Sequence, residues 1–200
     1  MSRPLVVGLI AEGRSDRYFL EPLVLRQVGA LLEHGARTAV ALADEVVSCA
    51  EATMVSDGAT LHAEASELTR RCHVLFVHSD WNERSKAEKL AASLTGGPAR
   101  TVVLAPRRET EAWMLADPEA YRRLRGADVT LLPTTSEAVE KETDPKYRLK
   151  QVMAKVTHNR AEDYFESLGQ SVDLTTLAKV PAYADWVTRT TKTLKELHFL

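Results

Sequence analysis

The chain has 200 residues, of which 44% are hydrophobic and 27% charged, and its formal net charge is -2. This composition is typical of a globular protein and excludes a generally basic nucleic-acid binder, although 26 Lys and Arg residues leave room for a local basic groove. The isolated cysteines Cys49 and Cys72 argue against a disulfide framework or zinc site. No stretch approaches the roughly 18 apolar residues of a membrane span. We therefore expect a cytoplasmic protein.

The first predicted element is a continuous apolar run at residues 5–10, which indicates a strand buried on both faces, as in a parallel sheet. Apolar residues then recur at helical spacing, and Ser15 is a suitable N-cap for this helix. A strand at residues 38–42 and a helix at residues 58–71 follow.

Strands and helices continue to alternate in the middle of the chain. Strands are predicted at residues 73–78 and 101–105, and helices at residues 85–94 and 108–116. Asp117 and Pro118 then begin another helix, with Asp117 as its cap. This alternation predicts an α/β fold with a small parallel sheet flanked by helices.

From about residue 133 the pattern is helical only. Short helices are predicted at residues 146–156, 163–168 and 181–197. We therefore expect an α/β core at residues 1–130 and a helical extension at residues 131–200, packed on the core as one structural domain.

Carboxylate residues follow each of the three clearest strands. Glu12 follows the first, Asp80 and Asn82 follow the second, and Glu109 and Glu111 follow the third. Ligands of open parallel sheets bind outside the carboxyl ends of the strands, so these side chains should share one edge. Carboxylates placed close together repel, and a shared cation is the usual reason for the arrangement. Oxygen ligands without His or Cys favour Mg²⁺ or Mn²⁺ over zinc.

Each of these carboxylates also has a purely structural explanation. Glu12 could be a solvated side chain in a turn, and Asp80 could cap the helix at residues 85–94. Glu109 and Glu111 could stabilise a helix N-terminus by about 0.3–1 kcal/mol. Their joint placement at one edge favours the site over these alternatives.

Two other polar residues, Arg107 and Arg108, are expected near the same edge and are candidates for phosphate binding. Lys146, in a basic stretch of the helical extension, is a third candidate. A solvated basic surface is the alternative for all three. His78 precedes Asp80 by two residues, so that it either contacts a metal or is packed at the strand end.

Three segments of the chain carry a family resemblance. They are Ala-Glu-Gly-Arg-Ser-Asp-Arg-Tyr-Phe-Leu at 11–20, Val-His-Ser-Asp-Trp-Asn at 77–82 and Arg-Glu-Thr-Glu-Ala-Trp-Met-Leu-Ala-Asp at 108–117. Together with Asp-Pro-Lys at 144–146, they resemble a bacterial Toprim-related family, domain-of-unknown-function family 4276. The resemblance spans nearly the whole chain, and the block at 111–117 is its most specific part.

The resemblance implies a Toprim-like (Rossmann-like) fold, in which a first-strand glutamate and an Asp-x-Asp motif bind Mg²⁺ and cleave or join phosphodiesters. Glu12 matches that glutamate and Asp80 the first Asp, while Asn82 stands in place of the second. If His78-Ser79-Asp80 is the motif instead, the departure is at His78, and either way one carboxylate is missing. Glu111 would compensate for the missing carboxylate. Members of the family tend to be encoded beside ATPases in defence or mobile gene sets, which implies an ATPase partner.

Two functions from different classes follow from these residues. The first is a Mg²⁺-dependent nuclease or related phosphodiester-cleaving enzyme, with Glu12, Asp80 and Glu111 as its catalytic residues. The second is a catalytically weak subunit that binds nucleic acid or nucleotide, or regulates an ATPase partner. The carboxylates favour the enzyme, and Asn82 with the mild net acidity favours the binding subunit. A phosphohydrolase acting on small molecules is a third option.

Overall fold

Parallel strands form the centre of the fold. The computed structural model of the protein describes residues 2–48, 58–156 and 161–200. The strands are β1 Arg3–Leu5, β2 Val7–Ile10, β3 Val40–Leu42, β4 Val47–Ser48, β5 Val74–His78 and β6 Arg100–Leu104. Four of them form a sheet in the order β4-β2-β5-β6, and β1 pairs with β3 in a separate two-stranded sheet. The predicted α/β architecture of small parallel sheets flanked by helices is confirmed.

Eight α-helices are seen within the described residues. They are α1 Arg14–Gly35, α2 Gly58–Arg71, α3 Arg84–Ser93, α4 Thr110–Met114, α5 Pro145–Val152, α6 Ala161–Ser171, α7 Leu174–Leu177 and α8 Pro181–Glu196. Short 3-10 helices cover Trp81–Glu83, Pro118–Arg123, Val129–Leu131 and Ser136–Lys141. None of the helices in residues 2–48, 58–156 and 161–200 combines the length and apolar character needed to cross a membrane.

Strands β2 and β5 and the second half of β6 are buried on both faces because their side chains alternate between two hydrophobic clusters. On β5, Phe76 belongs to the cluster that includes residues of α1, α4 and α8. Its neighbours Leu75 and Val77 belong to the other cluster, with residues of α2 and α3. The continuous apolar runs in the sequence are therefore explained by helices on both sides of the sheet.

The C-terminal helices contribute to the same core as the sheet. The Trp186 ring on α8 lies 5.5 Å from the Phe76 ring, edge to face, and Tyr183 lies 5.0 Å from Trp113 between ring centroids. On the adjacent α6, Gly169 packs so closely on α1 that an added Cβ would lie 2.3 Å from the Phe19 carbonyl oxygen. Aromatic packing and this close approach join the extension to the core.

The predicted single strand at residues 5–10 is wrong, because Val6 separates two strands that belong to different sheets. The Val6 N–H donates to Nδ1 of His73 at 3.0 Å, and the His73 N–H donates to the Val6 carbonyl oxygen at 2.8 Å. A side chain thus replaces one ladder hydrogen bond at the point where β1 ends. Strand β4 was not predicted, because only Val47 and Ser48 form it.

Two predicted helix starts are also corrected. Helix α1 begins at Arg14 with Gly13 in the N-cap position, and the Gly13 N–H donates to Asp16 Oδ2 at 2.9 Å, so Ser15 is not the cap. Helix α4 begins at Thr110, not at Arg108, because Arg108 has a left-handed backbone with φ of 74°. Asp117 is confirmed as a cap, since its Oδ1 accepts the Glu119 N–H at 2.9 Å.

Candidate functional site

Glu12 lies just beyond the carboxyl end of β2, where it is tied to the neighbouring strand. Its Oε2 accepts a hydrogen bond from the backbone N–H of Asp80 at 2.7 Å. Its own backbone N–H donates to Nδ1 of His78 at 3.2 Å. The parallel pairing of β2 and β5 places the two loops side by side, and these bonds hold the Glu12 carboxylate against the start of the Asp80 loop.

His78 is a buried connector between the three strand ends. Because Nδ1 accepts the Glu12 N–H, the proton of the neutral ring is on Nε2, which lies 2.9 Å from Oγ1 of Thr110. Burial lowers the pKa of His78, while the Asp16 and Glu12 carboxylates act to raise it. Both ring nitrogens are engaged by the protein, so the structure gives His78 a packing and positioning role instead of metal contact.

Asp80 lies at the centre of an acidic environment. Burial raises the pKa of Asp80 to about 8, and repulsion from Glu12, Asp16, Glu111 and Glu109 acts in the same direction. Its Oδ1 is buried and has no hydrogen-bond partner among the described residues. A buried carboxyl with an unpartnered oxygen and four carboxylates acting on it is costly to ionise, and a cation would relieve that cost.

Glu111 lies in the first turn of α4 with only 6% of its surface exposed. Burial raises the pKa of this carboxyl, and Asp16 and Glu109 act in the same direction, whereas a backbone hydrogen bond and Lys146 oppose them. The Lys146 ammonium lies 4.0 Å from Glu111 Oε1, and the Lys146 backbone N–H donates to Glu109 Oε2 at 3.2 Å. The start of α5 therefore brings a cation to the acidic edge.

Asp16 is a member of this cluster that the sequence analysis missed. It lies in the first turn of α1, and its negative charge acts on Asp80, His78 and Glu111. The sequence position of Asp16, four residues after Glu12, could have indicated its membership. A helix that begins at the sheet edge has its first turn near that edge. We refer to Glu12, Asp16, Asp80, Glu109 and Glu111 as the acidic cluster.

The remaining predicted residues lie around the acidic cluster. Asn82 is exposed in the 3-10 helix Trp81–Glu83, and Arg107 and Arg108 are exposed in the loop between β6 and α4. The Trp81 N–H donates to the Arg108 carbonyl oxygen at 3.3 Å, which joins these two loops. The Asp117 carboxylate binds a different part of the chain, since its Oδ2 accepts the Asp173 N–H at 2.9 Å.

The donor atoms of the acidic cluster suit a hard divalent cation, since they are carboxylate oxygens and one of them, Asp80 Oδ1, is buried without a partner. Within residues 2–48, 58–156 and 161–200, however, no three His, Cys, Asp or Glu side chains are already arranged to hold a metal ion. The oxygen atoms of these residues are therefore of the type that a hard divalent cation prefers. To coordinate the cation, the carboxylate side chains would have to move closer to one another.

Comparisons with protein-family models, with curated proteins and with solved structures return no match for this chain. The Toprim-like resemblance, and the functions it implies, rest on the sequence segments at 11–20, 77–82, 108–117 and 144–146 and stay predictions.

Proposed function

We propose that the protein is a Mg²⁺- or Mn²⁺-dependent enzyme that cleaves phosphodiester bonds, most simply a nuclease. The observation that carries this proposal is the Asp80 carboxyl, whose Oδ1 is buried without a partner among the described residues and on which four other carboxylates act. Ionising a buried carboxyl beside other carboxylates costs free energy, and a bound cation would offset that cost. A divalent cation bound by these carboxylates accounts for their proximity.

In this proposal Glu12, Asp80 and Glu111 hold the cation, and Asn82 adds an amide oxygen. A bound cation supplies Lewis-acid stabilisation of a phosphate oxygen and lowers the pKa of a bound water. Because the pKa of Asp80 is about 8, holding a cation near neutral pH would require this carboxyl to lose its proton.

Glu12 is the proposed general base or acid. Its Oε2 is held by the Asp80 N–H, which fixes the carboxylate at the sheet edge where a substrate phosphate would lie. The exposed Arg107 and Arg108, together with Lys146, supply positive charge for the phosphates of the substrate.

The test is a cleavage assay with single- and double-stranded DNA and RNA in Mg²⁺ or Mn²⁺. Glu12→Gln should lower turnover by about 100-fold or more, because general acid–base catalysis contributes ~10²–10⁴-fold. The control is Glu67→Gln, since Glu67 is an exposed carboxylate on α2 paired with Arg70 at 2.8 Å, and this change should leave turnover unaltered. If wild type and Glu12→Gln have equal turnover, Glu12 is not the general base or acid.

A second candidate is a catalytically weak subunit that binds nucleic acid or nucleotide, or regulates an ATPase partner. Two observations favour it: Asn82 brings no charge, and Lys146 already lies 4.0 Å from Glu111, where it partly neutralises the cluster. If the protein has this function, no turnover should be seen with any metal. The double variant Arg107→Ala, Arg108→Ala should then weaken phosphate binding more than Glu12→Gln does.

A further inference from the structure

Trp81 is a large aromatic side chain that remains at the surface beside the acidic cluster. It is 42% exposed, whereas the other two tryptophans, Trp113 and Trp186, are fully buried in the core. It directly follows Asp80 in the chain and begins the 3-10 helix Trp81–Glu83. The part of the indole that remains exposed is apolar surface available to a ligand at the edge of the sheet.

The indole is fixed in orientation by a neighbouring arginine. The Arg84 guanidinium lies over the Trp81 ring, 4.8 Å from its centroid, in a cation–π arrangement. Arg84 is itself held on α3, where its Nε donates to Glu88 Oε1 at 2.7 Å. With Arg84 on one face, the ring is preorganised and still presents exposed surface to a ligand.

Two further guanidinium groups lie on the adjoining loop. The hydrogen bond from the Trp81 N–H to the Arg108 carbonyl oxygen brings the β5 loop and the β6 loop together. Arg107 and Arg108 are both exposed there. Trp81, Arg107 and Arg108 therefore lie on two joined loops at the same edge of the sheet as the acidic cluster.

We propose that Trp81 is a stacking platform for an unpaired base of single-stranded nucleic acid, with Arg107 and Arg108 contacting the adjacent phosphates. The proposal rests on the proposed phosphodiester chemistry of the acidic cluster and specifies its substrate class. Stacking on Trp81 places the backbone of the bound nucleotide next to Asp80, the neighbouring residue in the chain.

A single strand fits this surface better than a duplex does. An indole can stack on a base only where the base has left its own stack, as in single strands, loops and ends. The protein carries a net charge of -2, so its affinity cannot come from a general positive field, and stacking with a few local arginines has to supply it.

The test measures binding of a fluorescein-labelled oligothymidylate of about 12 nucleotides, by anisotropy, in the Glu12→Gln background with Mg²⁺, where turnover is slow. Adding Trp81→Ala should weaken binding by about tenfold or more, and Trp81→Phe should keep affinity within about threefold. Tryptophan emission should be quenched on binding only when Trp81 is present. Val129→Ala, which alters another exposed hydrophobic residue, should leave binding unchanged.

The outcomes separate this inference from the proposed function. If binding of the single strand depends on Trp81 but the wild type does not cleave it, the stacking role of Trp81 is supported and the proposed nuclease activity is rejected. If the wild type cleaves the strand and Trp81→Ala binds it as tightly as the protein with Trp81 intact, the nuclease activity is supported and the stacking role of Trp81 is rejected. Tighter binding of the matching duplex, or equally tight binding of free thymidine monophosphate, also overturns it.

Discussion

Asp80→Asn is the most direct perturbation of the acidic cluster, and it should stabilise the metal-free protein at alkaline pH. The carboxyl pKa is 3.8 for an ordinary Asp and about 8 for Asp80 in the folded protein. One pKa unit corresponds to about 1.4 kcal/mol, so this difference amounts to about 5–6 kcal/mol at a fully buried site. Solvent screening at the half-buried carboxyl reduces the expected effect to about 2–3 kcal/mol.

The sign of the pH dependence follows from which state ionises first. Below about pH 4 the Asp80 carboxyl is protonated in both states and costs nothing. As pH rises from about 4 to about 8, the unfolded chain loses this proton while the folded protein keeps it, so the wild type loses stability. Above about pH 8 the loss is complete. The stability advantage of Asp80→Asn should therefore grow from near zero at pH 4 to its full value at pH 8.5.

The assay is urea unfolding in EDTA, followed by tryptophan fluorescence, at several pH values. Titrations of residues distant from Asp80 should contribute equally to both proteins and so cancel in the difference between them. Millimolar Mg²⁺ should raise the melting temperature of the wild type, and Asp80→Asn should not respond.

Asp128→Asn is the control for this experiment. Hydrogen bonds from Thr130 lower the pKa of Asp128, so that its ionised form favours folding, and its loss should act in the opposite direction. A stability difference between Asp80→Asn and wild type that is independent of pH, or that favours the wild type at pH 8.5, would refute the reasoning.

Two further predictions concern the scaffold of the site. Gly169→Ala should cost about 1–3 kcal/mol in urea unfolding, because its Cβ would lie 2.3 Å from the Phe19 carbonyl oxygen and force α1 and α6 apart. Gly58→Ala, where an added Cβ meets open space, should be neutral or stabilising, and equal losses in both variants would contradict the packing argument. His78→Leu should cost about 2–4 kcal/mol, since the Glu12 N–H and the Thr110 hydroxyl lose their partner. Because burial lowers the pKa of His78, the wild type loses stability as pH falls through about 6.5, so this cost should be smaller at pH 5 than at pH 8.

The sequence by itself predicted three of the four strands of the central sheet, β2, β5 and β6, and the edge at which the polar residues meet. Strands β2, β5 and β6 appear as apolar runs because both of their faces are covered by helices, and such runs are readable without a structure. Once the strands are parallel, the residues that follow them must share one edge. Glu12 and Asp80 were predicted together for this reason, and the 2.7 Å bond from the Asp80 N–H to Glu12 joins them there.

Only the tertiary structure decided which other groups reach that edge, because these contacts depend on packing between segments far apart in the chain. Lys146 approaches Glu111 because α5 packs on α4, and no local pattern records that approach. Val6 ends a strand inside an apolar run because the His73 side chain replaces a ladder hydrogen bond. Local spacing predicts how a segment folds, whereas the partners of a polar side chain depend on where the rest of the chain is placed.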